Sequence, residues 1–348
     1  MTAPLLEIRD LVRTFCGGQR WFGAVRPGVQ AVQGINLDID QGETLGIVGE
    51  SGCGKSSLAR LLVGLDTPTS GTIRFAGSDL QMLRSKNRHA LSRRIQYVFQ
   101  DPLSSLNPRK RIRDILAAPL QHLRGLQGRA LEQRLAELME VVNLRPEFIT
   151  RYPHEFSGGQ AQRIGIARAL AAEPKLLVLD EPVSALDVSV QAQVLKLLRQ
   201  LKSQFDLTYL FISHDLSVVE SVSDRIAVMY FGRIIEQAPA RQLFHSPAHP
   251  YTRLLLNSAP IPGGPPIHAE SGEAELPDPL APPPGCAFAP RCPKAQADCH
   301  QAVPALDSIS KSRDHRAACR YPHEGPWRRA GTQAAQWITA DDTLNPTS

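Results

Sequence analysis

Apolar and polar positions alternate in short runs over residues 4–48, in "LLEIRDLVRTF", "INLDID" and "TLGIVG", and this period of two predicts strands. Between the first two, "CGGQRWFGAVRPGVQ" is rich in glycine and aromatic residues and reads as an exposed, hairpin-like insertion. A helix is expected from Lys55. Over residues 84–165 the period lengthens, and Leu131, Leu135, Leu138, Met139 and Val142 fall on one helical face. "KLLVLDEP" and "TYLFISHD" are nearly unbroken apolar runs, the pattern of parallel strands buried on both faces. "QAQVLKLLRQLKSQF" is an amphipathic helix. Strands alternating with helices predict an α/β architecture with a helical insertion.

That pattern stops near residue 260. Nine of the thirty residues from Ile261 to Pro290 are proline, and no regular element can run through them. The expected organisation is a globular unit over 1–260, its helical part at about 84–165, and a proline-rich linker over 261–285. A small cysteine-bearing lobe over 286–325 and a disordered tail over 326–348 complete it.

Composition changes this picture little. A hydrophobic content of 42% in 348 residues is ordinary for a globular protein. The net charge of +5 suits an anionic ligand or a position beside a membrane, but is too spread out to argue for nucleic acid. No run of eighteen apolar residues occurs, so the chain is not expected to cross a bilayer alone. "MTAPLLEIRD" lacks the basic-then-apolar pattern of a secretory signal, so a cytosolic location is expected. Thiols stay reduced there, and a cysteine cluster more often binds metal or reacts than forms disulfides.

The candidate chemistry begins in "GIVGESGCGKSSLARLL". Gly49 is followed by Glu50, Ser51, Gly52 and Cys53, then by Gly54, Lys55 and Ser56, between a predicted strand and a predicted helix. A glycine-rich turn lets backbone N–H groups converge on phosphates, and the following helix offers its positive end. Lys55 can reach the β- and γ-phosphates, and the Ser56 hydroxyl can ligate magnesium. Cys53 contributes mainly its backbone.

In "LLVLDEPVSALD", Asp180 ends a buried strand, where a carboxylate can hold magnesium directly or through water. Glu181 beside it is placed to polarise an attacking water. His214 ends a second buried strand in "YLFISHDL". In "EFSGGQAQRIGIARALAAEPKLL", Ser157, Gly158, Gly159 and Gln160 open an amphipathic helix, which makes a second phosphate-binding device. Two such devices on one chain can enclose nucleotide at both ends of a sandwich when two copies meet head to tail.

In this order and spacing, "GESGCGKS", "FSGGQ", "LLVLDEP", "SALD" and "ISHD" resemble the nucleotide-binding subunit of ATP-binding-cassette transporters, over roughly residues 4 to 325. The resemblance implies a P-loop α/β fold with a RecA-like mixed-sheet core, an antiparallel β subdomain, a helical signature subdomain and the cysteine-rich lobe. It implies ATP and Mg2+, with Gly49 to Ser56 as the phosphate loop and Asp180 as the magnesium carboxylate. It makes Glu181 the catalytic base, His214 the γ-phosphate switch, and Gln100 the residue touching magnesium and the transmembrane partner. Ser157 to Gln160 would cap the ATP of the opposite subunit, and Asp187 would contact it. Phe15 is the candidate for stacking on adenine, with Trp21 and Phe22 as alternatives. Phe156 stands where leucine is usual and Ala161 where a basic residue is common; neither change removes a phosphate-contacting group.

"FQDPLSSLNPR", "HPYTRLLL" and "LPDPLAPPPGCAFAPRC" resemble the dipeptide/oligopeptide and nickel importer branch. That implies an ATPase driving import of di- or oligopeptides, peripheral on the cytoplasmic face of the inner membrane. The implied partners are a second, homologous ATPase in a heterodimer, two permease subunits and an external peptide-binding protein, with no nucleic acid. Nickel, glutathione or a sugar is the alternative cargo. A DNA-repair ATPase of this superfamily would carry a long coiled coil between Lys55 and Asp180, and a translation factor would carry two cassettes; neither pattern is present.

Cys286, Cys292, Cys299 and Cys319 lack the tight Cys-x-x-Cys knuckle of most zinc sites. Four thiolates on irregular loops suit a cubane cluster, and the resembling ATPases carry such a pattern, which implies a [4Fe–4S] centre. Zinc and unligated thiols remain alternatives. A metal would substitute for the core that this proline-rich stretch is not expected to build.

Overall fold

The computed structural model describes residues 3–15, 28–258, 277–309 and 314–327. Trp21 and Phe22, most of the proline-rich linker and nearly all of the expected tail lie outside the described residues.

The first sheet is antiparallel, ordered β2-β1-β4-β5, from β1 (Leu6–Phe15), β2 (Val29–Ile39), β4 (Ser70–Phe75) and β5 (Ser78–Asp79). Leu6 and Ile8 face inward with the expected alternation, yet the next buried residue is Leu11 rather than Asp10. The pairing with β2 shifts register between Ile8 and Leu11, and Asp10 adopts a φ of +46°. A bulge inserted there flips the pattern by one and keeps the leucine in the core.

The second sheet carries the parallel strands β3 (Thr44–Val48), β6 (Ile95–Val98), β7 (Leu176–Asp180), β8 (Thr208–Ile212) and β9 (Arg225–Tyr230), followed by antiparallel β10 (Arg233–Pro239). Its order is β11-β12-β10-β9-β3-β8-β7-β6, where β11 is Asp307–Ser308 and β12 is Arg316–Ala317. Every residue of β3, β7 and β8 is buried, as unbroken apolar runs require. Alternate side chains serve opposite cores. Leu176, Val178, Leu210 and Ile212 join the antiparallel sheet and α1 (Lys55–Leu62) in one cluster. Leu177, Leu179, Tyr209 and Phe211 face the helical side in the other.

Short helices α2 (Leu80–Lys86) and α3 (Arg88–Arg94) place Leu80 and Leu91 in the first of these clusters, and the helical side begins with α4 (Pro102–Ser105). It continues through α5 (Ile112–Arg124), α6 (Gly128–Val141), α7 (Gly158–Leu170) and α8 (Val188–Phe205). The stripe Leu131, Leu135, Leu138, Met139 and Val142 is buried along and just beyond α6. Three shorter helices follow, α9 (Leu216–Val222), α10 (Ala240–His245) and α11 (Pro250–Ser258).

The cysteine-bearing segment corrects one expectation: it does have a core, because it borrows the main one. Phe288 is 1% exposed and packs in edge-on geometry against Tyr230 of β9 and Tyr251 of α11. β12 adds to the main sheet at β10, and the Ala318 N–H donates to the Ile235 carbonyl at 2.7 Å. The fully buried Glu236 carboxylate accepts from the N–H groups of Ala248 and His249 at 2.7 and 2.8 Å, and pairs with His315 Nε2 at 2.7 Å. Such a buried carboxylate holds its place only with its oxygens satisfied, so it ties α11 and β12 to β10.

Candidate active site

The parallel strands β6, β7, β8 and β3 are neighbours, so the loops leaving their carboxyl ends meet along one edge. From β3 the chain turns through Gly49–Gly54 into α1. Gly54 has a φ of +106°, and a Cβ there would lie 2.1 Å from the Ala31 carbonyl oxygen, so only glycine fits. No side chain caps α1, which leaves its first-turn N–H groups free for an anion. Lys55 is 6% exposed, and its Nζ donates to the carbonyls of Gly49 and Glu50 at 2.7 and 2.8 Å. The ammonium is therefore drawn back across the loop. Burial pushes the Cys53 thiol up despite the nearby Lys55, which keeps it neutral.

Asp180, at the end of β7, is 5% exposed and accepts a hydrogen bond from the Tyr97 hydroxyl of β6. Burial and that bond hold the Tyr97 phenol well above its ordinary range. A buried carboxylate whose bonded partner is a neutral phenol is the donor chemistry that suits a hard divalent cation, and Ser56 supplies a hydroxyl at the start of α1.

Glu181 follows with a φ of +47°, a conformation rare outside glycine and frequent at functional sites. Its N–H donates to the Ile212 carbonyl at 2.9 Å, locking the turn to β8. This posture aims the carboxylate between two side chains: Oε1 lies 3.1 Å from His214 Nδ1, and Oε2 accepts from Gln100 Nε2 at 2.9 Å. Three residues from the ends of three strands thus converge on one point, with His214 and Gln100 exposed.

Ser157 opens α7 through a reciprocal cap: its Oγ accepts from the Gln160 N–H at 3.4 Å, and Gln160 Oε1 accepts from the Ser157 N–H at 3.1 Å. Gly159 permits close approach to α8, since a Cβ there would meet Val190 at 2.3 Å. Helix α7 packs chiefly on α4, α5, α6, α8 and β6, so this second device is held by the helical side rather than by α1. The unusual Phe156 and Ala161 are both buried, which makes their departures a matter of packing. Asp187 stands exposed just before α8, beside Val188, whose side chain is 82% exposed. Phe15 is exposed at the end of β1 with the Arg13 guanidinium 4.5 Å over its ring.

Three partners of this edge carried no local signal. One is Tyr97. The others reach Glu50 from the far end of the chain: the Tyr251 hydroxyl accepts its N–H at 2.9 Å, and Arg291 grips its carboxylate through two bonds of 2.9 Å. Near Arg291, Cys286, Cys292, Cys299 and Cys319 line a single small cavity together with Phe288. Burial pushes the Cys286 and Cys292 thiols up, and that of Cys319 up to about 11. Among the described residues, no three His, Cys, Asp or Glu side chains are grouped to hold a metal ion as they stand.

Comparisons with known proteins bear on this arrangement. Residues 32–184 match the ABC transporter family, and residues 235–299 match the oligopeptide/dipeptide transporter C-terminal region. The chain is similar to the oligopeptide transport ATP-binding protein OppF of Escherichia coli, with 47% identity over 90% of this chain and 95% of that protein. It is 45% identical to the di/tripeptide transport ATP-binding protein DppF of Pseudomonas aeruginosa, over 92% of this chain and 98% of that one. Among solved structures, the dimeric ATP-binding cassette MJ0796, bound to ADP and Pi in a post-hydrolysis state, superposes with a TM-score of 0.60 at 28% identity. That match covers 68% of this chain and 99% of that one.

Proposed function

This chain belongs to the ABC transporter family as an ATP-binding subunit bearing the oligopeptide/dipeptide transporter C-terminal region, and from that premise we propose that it hydrolyses ATP to drive import of di- and oligopeptides. The observation that carries the chemistry is the convergence of Gln100 and His214 on Glu181. The names of its relatives carry the cargo.

In this reading the loop from Gly49 to Ser56 wraps the triphosphate with its N–H groups, and Lys55 leaves the Gly49 and Glu50 carbonyls to meet the β- and γ-phosphates. Magnesium, held by Ser56, Asp180 and Gln100, would neutralise charge on those phosphates. Glu181 orients and deprotonates the attacking water, while His214 and Gln100 keep its carboxylate aimed. Ser157 to Gln160 cap the nucleotide of a facing ATPase subunit, Asp187 contacts that subunit, and Phe15 stacks on adenine. Closure of the pair pulls on two permease subunits through the loop after Gln100, with an external binding protein delivering peptide. No described helix is long and apolar enough to cross a membrane, which supports a peripheral subunit whose pore is built by other chains.

The cysteine cavity brings four thiols together, with His249 also in its lining, and soft sulfur ligands support a [4Fe–4S] centre over harder ions. Its role in this reading is to pin the segment, since four cysteines leave no open ligand position.

Uptake of labelled di- and oligopeptides tests the function. Removing the gene abolishes uptake, and the wild-type chain, but not Glu181→Gln, restores it. Intact peptide uptake with lost nickel, glutathione or sugar uptake overturns the cargo.

A further inference from the structure

Glu50 is the second residue of the phosphate loop, and two elements more than two hundred residues away hold it. From α11, the Tyr251 hydroxyl accepts its backbone N–H at 2.9 Å. From the 3₁₀ turn Ala289–Arg291, the guanidinium takes both carboxylate oxygens at 2.9 Å each. Neither partner is loose. Tyr251 is fully buried, 4.5 Å from the Tyr230 ring centroid and 5.4 Å from that of Phe288. Arg291 lies about the same two rings, 6.0 Å from Tyr230 and 5.8 Å from Phe288, with its side chain 15% exposed.

An isolated surface ion pair would contribute little. This one is two-pronged, half-buried and set against aromatic rings, the arrangement in which arginine fixes geometry rather than merely charge. What it fixes matters, because the Glu50 carbonyl is one of the two oxygen acceptors of Lys55 Nζ, and it also accepts the Cys53 N–H at 3.3 Å. The Glu50 peptide therefore sits between the C-terminal region and the lysine.

We propose that Tyr251 and Arg291 are positioning residues for the phosphate loop, holding the Glu50 peptide so that the loop N–H groups are set for a triphosphate, and Lys55 waits at its carbonyl, before it arrives. ATP affinity then depends on the docking of the C-terminal region. This rests on the reading of Gly49–Ser56 as the ATP-phosphate site. A preorganised loop lowers the ordering cost of binding. Its loss raises Kd and KM and leaves kcat at saturating ATP nearly unchanged, because ground and transition states lose it alike.

The test measures Kd for a fluorescent ATP analogue with magnesium on the full chain, and KM and kcat in the assembled transporter. Arg291→Gln is expected to raise Kd about tenfold, and Arg291→Lys to recover part of that. Tyr251→Phe, which changes no charge, is expected to raise it about fivefold. The double variant Glu50→Gln with Arg291→Gln separates positioning from charge balance. If Arg291 merely neutralises Glu50, removing both restores wild-type affinity; if it positions the loop, the double variant stays as weak as Arg291→Gln. Wild-type affinity in Tyr251→Phe or in the double variant overturns the proposal. Thermal melting identifies a variant that fails to fold, and the other then decides alone. Lys55→Ala is the control: should it retain wild-type affinity, the reading of the loop has failed instead.

Discussion

The Glu181 carboxylate stands 3.1 Å from Nδ1 of His214, and the strained backbone of Glu181, with a φ of +47°, is what turns it there. In the proposed mechanism this posture lets the carboxylate act on a water beyond the γ-phosphate while the imidazole meets the phosphate itself. Glu181→Gln keeps the shape and the bond to Gln100 but removes the base. Turnover is expected to fall about 10²–10⁴-fold, with ATP binding intact and the ATP-bound pair trapped closed. Phosphate release and size-exclusion chromatography with ATP read both effects. Hydrolysis at the wild-type rate would show that Glu181 is not the base.

Ser157→Arg tests the head-to-tail sandwich. The serine caps α7, so its loss alone costs about 1 kcal/mol, which a domain of this size tolerates. In the proposed sandwich the arginine would fill the space that the facing subunit's nucleotide takes. With a wild-type partner, hydrolysis is expected to stop at the partner's phosphate loop and to persist at this chain's own. Undiminished turnover at the partner's loop rejects the sandwich.

The candidate residues around Glu181 were legible as a group because most are short local patterns at strand ends. Glycines with Lys55, acids after "LLVL" and His214 after "FIS" announce themselves within a few residues. What brings them together is the parallel order of β3, β8, β7 and β6, which follows from runs too apolar for anything but two-sided burial. The β9–β10 hairpin escaped because its second strand buries Glu236 and Gln237, polar residues that interrupt the apolar run. The bonds of Tyr97 to Asp180 and of Arg291 to Glu50 span 83 and 241 residues and have no spacing to betray them. Nor does proline density reveal that Phe288 seats in the main core.

His249 makes stability depend on pH. Burial lowers its pKa from 6.5 to about 4, outweighing the attraction of Glu236, while His323 adds to the lowering. The folded state thus prefers the neutral ring, whose Nδ1 accepts the Tyr251 N–H at 3.0 Å. Its contribution is whole above pH 6.5, the unfolded value, and is lost as pH falls from there towards 4. The loss amounts to about 3 kcal/mol by linkage. Urea midpoints at pH 7 and pH 4.5 should separate by less in His249→Gln than in the wild type. Equal separations would mean that His249 does not titrate between the two states.

The cysteines supply the sharpest chemical test. Cys286, Cys292, Cys299 and Cys319 line one cavity, beside the turn that carries Arg291. Without a metal, three of these thiols are neutral groups pushed up by burial, and they offer the segment only modest packing. With a cubane, all four become ligands and the turn between Cys286 and Cys292 is pinned at both ends. Anaerobic purification is therefore expected to give brown protein with about four irons per chain. Replacing Cys292 or Cys319 with alanine should remove the colour and lower the melting temperature. Iron content and the visible thiolate-to-iron absorption measure the first effect, and calorimetry the second. Colourless protein with one zinc would transfer the same pinning role to a tetrahedral ion. No metal after anaerobic reconstitution would leave Phe288, β12 and the Glu236–His315 pair as the segment's anchors.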